Sequence, residues 1–161
     1  MNLSPLIKGI ITAVAMIVVS LVTYYTLPAT SPLHYLVFAV YAIGIIWTLV
    51  SYRNSPVYSG KFGESFNNGF KCFIVATFLM VLYTFAFNKM HPEFAEESAR
   101  LYKEQQLTIK NSSKTPDDID AEAIRYKNGY AMAVVYGSIF GYLIIGAVVT
   151  ALGSLIITRR K

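Results

Sequence analysis

The groups in this chain that could move protons, attack a carbonyl or hold a metal are few: nine carboxylates, two histidines and one cysteine in 161 residues. His34 and His91 both fall beside apolar stretches, on what hydropathy makes the same face of a membrane, where they could approach each other and Glu93. A metal site needs three or four such ligands at fixed spacing, and two histidines and one acid fall short of it, so they read as interfacial histidines. Cys72 stands alone, which excludes an intrachain disulfide and any CxxC motif. It has no histidine near it in sequence and reads as a packing residue. Glu64 is the only acid near the opposite face, where a helix lying at the interface accounts for it. No nucleophile elbow, P-loop, HExxH motif or pair of intramembrane aspartates occurs. The expectation is a chain without catalytic residues, metal or cofactor.

The elements that carry these groups follow from hydropathy. Hydrophobic residues make up 55% of the chain and charged residues 14%, where a soluble domain carries about 25% charged. Stretches of 18 or more apolar residues are candidates to cross a bilayer core of about 30 Å. Four qualify, and they predict membrane helices over about 6–27, 33–50, 70–87 and 130–157. The fold class expected is all-α: an integral membrane four-helix bundle in one domain. Apart from Lys8 and Lys71 at the edges, the spans hold no Asp, Glu, Lys, Arg or His. A proton-coupled transporter needs a titratable group near mid-membrane, so this absence weighs against one.

Ser4-Pro5, Ser31-Pro32 and Thr115-Pro116 each place a capping oxygen before a proline preset for the first helical turn. The turn from Pro28 to Ser31 is so short that helices 1 and 2 must be antiparallel neighbours. After helix 2, Phe62, Phe66 and Phe70 recur at i, i+4, i+8, with Lys61, Glu64, Asn67, Asn68 and Lys71 on the polar side. That pattern predicts a short interfacial helix over 60–70. Phe62, Glu64, Phe66, Phe70 and Lys71 are the candidate contact residues for a partner.

Residues 92–128 form the one long polar segment and predict a helical hairpin outside the membrane. Its first helix runs from Pro92 to about Leu107, with Glu93, Glu96 and Glu97 at the positive end of the dipole. Glu96 and Arg100 are spaced for an i,i+4 pair, as are Arg100 and Glu104. Asn111 to Lys114 is a turn. Asp118 follows Thr115 at capping-box spacing. Only Gly129, at about 1 kcal/mol, interrupts the pattern from Asp117 into helix 4, so one helix from Pro116 to Ile157, roughly 60 Å long, is expected.

Ala133, Gly137 and Gly141 make a small-xxx-small row extending GxxxG, the pattern that lets helix backbones approach closely. It fits contact within the bundle, or a dimer interface. Gly146, Thr150 and Ser154 make a second small-residue row.

The net charge of +5 is distributed in a way that indicates topology rather than nucleic-acid binding. Lys8, Arg53, Lys61, Lys71, Arg159, Arg160 and Lys161 flank span ends on one face, against Glu64 alone. The positive-inside rule then puts both termini in the cytoplasm.

The segments Asn2 to Gly9 (NLSPLIKG) and Phe62 to Lys71 (FGESFNNGFK), with the four-helix hydropathy pattern, resemble an uncharacterised family of small Bacteroidetes membrane proteins, domain of unknown function 4199. The likeness covers nearly the whole chain. It implies a bacterial inner-membrane protein and no particular activity.

The expected function is a non-enzymatic inner-membrane scaffold or accessory subunit. Its partners would be the lipid bilayer and another membrane protein or membrane-associated enzyme, or further copies of itself. The alternative is a small oligomeric transporter or channel for a solute or lipid. Neutral groups such as Thr12, Ser20, Thr48, Thr77, Thr84, Ser138 and Thr150 would line its path.

Overall fold

The computed structural model describes residues 3–28, 31–108 and 115–159. Within them the chain forms α1 (Pro5–Thr26), a 3₁₀ turn (Pro32–Tyr35), α2 (Leu36–Arg53), α3 (Phe62–Met90), α4 (Glu93–Thr108) and α5 (Pro116–Arg159). Among the described residues there is no strand, and α1, the 3₁₀ turn with α2, α3 and α5 are each long and apolar enough to cross a membrane. Arg160 and Lys161 of the basic cluster, and the Asn111 to Lys114 turn, lie outside the described residues.

The caps form as the residue types dictate. Ile7 N donates to Ser4 Oγ at 3.3 Å, and Leu33 N donates to Ser31 Oγ at 3.3 Å. Thr115 and Asp118 close a reciprocal box: Thr115 N donates to Asp118 Oδ2 at 3.1 Å, and Asp118 N donates to Thr115 Oγ1 at 3.3 Å. Helix 2 opens on the 3₁₀ turn before settling into α geometry at Leu36.

The segment 60–70 is not a separate interfacial helix. It is the start of α3, which runs unbroken for 29 residues. No proline lies between Phe62 and Met90, and Gly63 and Gly69 cost only about 1 kcal/mol each in a helix. The turn falls earlier, at Gly60, whose φ of 73° is the left-handed conformation that glycine adopts without strain. Gly129 likewise fails to interrupt α5, a single helix of 44 residues. At 1.5 Å per residue that is about 66 Å, twice what a bilayer core requires.

The chain divides into two compact units, Met1–Val81 with Ile139–Lys161, and Leu82–Ser138. The first is a four-helix bundle in which α2 touches α1, α3 and α5. Tyr41, Ile45 and Leu49 of α2 are fully enclosed with Ala13 and Met16 of α1 and Cys72, Phe73, Ala76 and Met80 of α3. The Tyr41 hydroxyl shares a hydrogen bond of 2.8 Å with Thr77 Oγ1 on α3 and lies 3.2 Å from the Tyr142 carbonyl on α5. Glycines set the spacing. A methyl group at Gly9 would fall 2.6 Å from the Cys72 carbonyl oxygen, and one at Gly69 would fall 2.6 Å from Thr150 Cγ2. One at Gly146 would meet the Tyr41 hydroxyl at 2.5 Å. Helices held this closely gain dispersion contacts where lipid supplies no hydrophobic drive.

Ser65, Thr150 and Ser154 are buried between α3 and α5, and their hydroxyls have no hydrogen-bond partner among the described residues. A buried polar group without a partner is a net cost. Ser154→Ala and Thr150→Val are therefore expected to leave the thermal midpoint unchanged or raise it, by up to about 1 kcal/mol in stability. A loss of stability in both variants would show that these hydroxyls are satisfied in the protein.

The second unit is a polar hairpin of α4 against the first part of α5. Lys127 Nζ meets Glu96 Oε1 at 2.7 Å, Lys103 meets Asp120 at 2.5 Å, and the Tyr102 hydroxyl donates to Glu122 at 2.7 Å. The rings of Tyr102 and Tyr126 stack with centroids 5.3 Å apart. Low residue numbers on α4 meet high ones on α5, which is the antiparallel register. The expected Glu96–Arg100 pair gives way because Glu96 turns to Lys127 across the hairpin, and Arg100 takes Glu97 at 2.6 Å instead. These ion pairs are half exposed and add little stability each.

Candidate functional site

The phenylalanines expected to contact a partner form one continuous ladder along α3. Phe62 and Phe66 have centroids 5.8 Å apart, Phe66 and Phe70 6.2 Å. The i, i+4 spacing stacks them one turn above the next. Phe70 then meets Phe73 edge-on at 5.1 Å, and Phe73 is buried in the bundle core. The ladder thus leads from a surface into packed interior. Phe62 and Phe70 are each 41% exposed.

The polar side of the same turns is also fixed. The Tyr52 hydroxyl, at the end of α2, donates to Glu64 Oε2 at 3.0 Å. Asn68 Nδ2 donates to the Glu64 carbonyl at 2.9 Å. Tyr58, in the loop after α2, stands edge-on to Tyr52 at 5.4 Å and donates its hydroxyl to the Ile157 carbonyl of α5 at 3.0 Å. Lys71 points outward. The structure therefore brings Phe62, Glu64, Phe66, Phe70 and Lys71 together on the first turns of one helix, braced by Tyr52 and Tyr58. Those two tyrosines were not among the sequence candidates. The signal for Tyr52 was its place at a span end, which reads equally well as an interfacial anchor.

Of the two readings of the GxxxG row, contact within the bundle is not what Gly137 and Gly141 make among the described residues. Ala133 and Gly137 are exposed, and among the described residues no atom lies within 4 Å of a methyl group built at Gly137 or Gly141. Gly137 and Gly141 therefore make no close helix approach among the described residues. The row that does so is the second one, with Gly146 against Tyr41 and Phe73, and Thr150 against Gly69. A GxxxG spacing places two small residues on one face of a helix without saying which face turns inward, and here the Tyr41 side chain selects the face of Gly146.

The isolated titratable groups have local partners. His34 Nε2 lies 3.0 Å from the Pro28 carbonyl, and His91 Nδ1 lies 2.6 Å from Glu93 Oε1. A hydrogen bond from its own backbone N–H, and then the His91 imidazole, hold the Glu93 carboxylate below the usual range. Cys72 is buried with its sulfur 3.9 Å from the Gly44 carbonyl. Among the described residues no three His, Cys, Asp or Glu side chains are grouped so as to hold a metal ion.

No curated protein and no solved structure matches the chain. One family model does, and it spans nearly the whole sequence, from the first turn of α1 to the end of α5. With its match over residues 8–159, the chain belongs to the family described as Protein of unknown function (DUF4199).

Proposed function

We propose that this protein is a multi-pass, non-enzymatic subunit of the bacterial inner membrane, with both termini in the cytoplasm, that scaffolds another membrane protein or a membrane-associated enzyme. The observation that carries this reading is the ladder Phe62–Phe66–Phe70, whose two end rings are exposed while Phe70 also meets the buried Phe73 edge-on. A rigid aromatic edge beside Lys61 and Lys71 suits the anchor of an interface, where aromatic residues carry much of the binding energy. The polar hairpin of α4 and α5 offers a second structured surface of opposite character.

The alternative, a small oligomeric transporter, has less support. Thr12, Thr48 and Ser138 donate their hydroxyls to carbonyls of their own helices at 2.8, 3.0 and 2.8 Å, and Thr77 bonds Tyr41. These groups are spent on packing rather than turned to a path.

The test is purification of the full chain from native membranes in mild detergent. The wild type is expected to retain a defined membrane protein or membrane-bound enzyme. The double variant Phe62→Ala, Phe70→Ala should lose it, with affinity falling on the order of 30-fold or more. Recovery of the wild type as a lone monomer would sink the proposal, as would equal retention by the variant.

A further inference from the structure

Among the described residues Lys8 is the one charged side chain enclosed in the bundle, at 6% exposure. Its ammonium sits 5.4 Å from the centroid of the Trp47 ring, a cation–π distance. It has no carboxylate and no hydrogen-bond acceptor among the described residues. Buried charges are ordinarily paired, because removing an ion from water is expensive. An ammonium facing only an aromatic ring is therefore incomplete.

What Lys8 does face is a cavity of about 330 Å³. Its wall includes Ser4, Ser51, Tyr52, Ser55 and Asn68, and no Asp or Glu. The hydrogen-bond inventory leaves donors to spare. Ser4 Oγ accepts from Ile7 N, so its own hydrogen is unassigned. Asn68 uses one of its two N–H donors on the Glu64 carbonyl, and the other remains. Tyr52 and Ser55 are already committed, to Glu64 and to the Tyr52 carbonyl. Leu3, Ser4 and Pro5, at the start of α1, also line the cavity, so the positive end of a 22-residue helix faces it. Arg53 and Lys61 lie close along the chain and add positive potential.

From this we infer that the cavity between the start of α1, the end of α2 and the start of α3 binds a phosphate group, with Lys8 as its counter-ion and Ser4, Ser51 and Asn68 as hydrogen-bond donors. An anion with several acceptor oxygens answers the surplus of donors, and the volume admits a phosphate with a small group attached, as in a glycerophosphate. A span end lies at the depth of lipid headgroups, so the phosphate can belong to a lipid or to a free phosphate compound. Both offer the same chemistry to Lys8.

Trp47 is the only tryptophan in the chain, so its fluorescence reports the ammonium above it. The experiment uses the full chain in a phosphate-free maltoside detergent. Dioleoyl phosphatidic acid in mixed micelles and inorganic phosphate are titrated separately, with sodium chloride and diacylglycerol as matched controls. Saturable change in Trp47 emission, with a rise in thermal midpoint, is expected for at least one of the two phosphates. Response to phosphatidic acid alone assigns a lipid headgroup, and response to inorganic phosphate as well assigns a site open to soluble phosphates. Lys8→Gln should weaken the midpoint response roughly 10- to 100-fold, and Lys89→Gln, an exposed lysine in the second unit, should not alter it. Should Lys8→Gln fail to fold, the double variant Ser51→Ala, Asn68→Ala must weaken binding instead. Absence of a saturable response, its reproduction by chloride or diacylglycerol, or an unchanged response in the folded variants overturns the site.

Discussion

Valine at Gly9 is expected to destabilise the bundle by about 3 kcal/mol, the top of the usual range for overpacking, whereas valine at Gly137 or Gly141 should shift stability by no more than about 0.5 kcal/mol. The difference lies in what the new side chain meets. At Gly9 even the first carbon would fall 2.6 Å from the Cys72 carbonyl oxygen and 3.0 Å from Val75 Cβ. A backbone oxygen inside α3 cannot swing aside, so the whole of α1 has to move. At Gly137 and Gly141 the same carbon meets open space among the described residues. Gly146 falls between, because its nearest neighbour is the Tyr41 hydroxyl at 2.5 Å, at the far end of a side chain. Thermal unfolding of the variants in one detergent, followed by circular dichroism, checks the order. Similar losses at Gly9 and Gly137 would mean that α1 and α3 do not approach as described. If a second copy packs on the Gly137 face, light scattering of Gly137→Val would show a smaller assembly at an unchanged melting temperature.

Much of this architecture was legible because membrane helices are coded coarsely. Four apolar runs locate the spans, and Ser4-Pro5, Ser31-Pro32 and the Thr115–Asp118 box mark starts with side chains whose chemistry permits little else. The continuity of α5 follows from the lack of any proline after Pro116, since a glycine costs a helix only about 1 kcal/mol. The stretch from Phe62 to Met90 likewise holds no proline, and it too is one helix. The change from polar to apolar at Phe70 suggests a boundary, but a change in solvent along a helix is not a break in its hydrogen bonds. What sequence could not supply was facing. In lipid the apolar residues turn outward and the small or polar ones inward, so the buried stripe of α1 is Lys8, Gly9, Thr12, Ala13 and Met16. Lys8 read as a span-edge charge because its position along the axis suits the interface. Its position around the axis, one turn before Thr12, is what turns it into the bundle. The Phe62–Phe70 ladder was visible from spacing alone, whereas its anchoring by Phe73, Tyr52 and Tyr58 depends on tertiary contacts.

Removing the Tyr41 side chain should cost about 3–5 kcal/mol, while removing only its hydroxyl should cost about 0.6 kcal/mol. Tyr41 is fully buried, and its ring stands edge-on to Tyr142 at 5.5 Å, so Tyr41→Ala opens a cavity among three helices. The hydroxyl has more neighbours than it can use. Thr77 Oγ1 lies at 2.8 Å, the Tyr142 carbonyl at 3.2 Å and the Phe73 carbonyl at 3.4 Å, yet a phenol has one hydrogen to give. In Tyr41→Phe the Thr77 hydroxyl can turn to the Phe73 carbonyl four residues back in its own helix, as Thr12 and Thr48 do with Lys8 and Gly44. The net loss is then one replaceable bond, and packing rather than polarity decides the effect. Melting temperatures of the two variants, read beside the wild type in the same detergent, separate the two contributions. A loss in Tyr41→Phe as large as in Tyr41→Ala would mean that the hydroxyl organises a polar network through the bundle. That result would favour a path for solute over the packed scaffold, since a scaffold interior has no need of a polar thread.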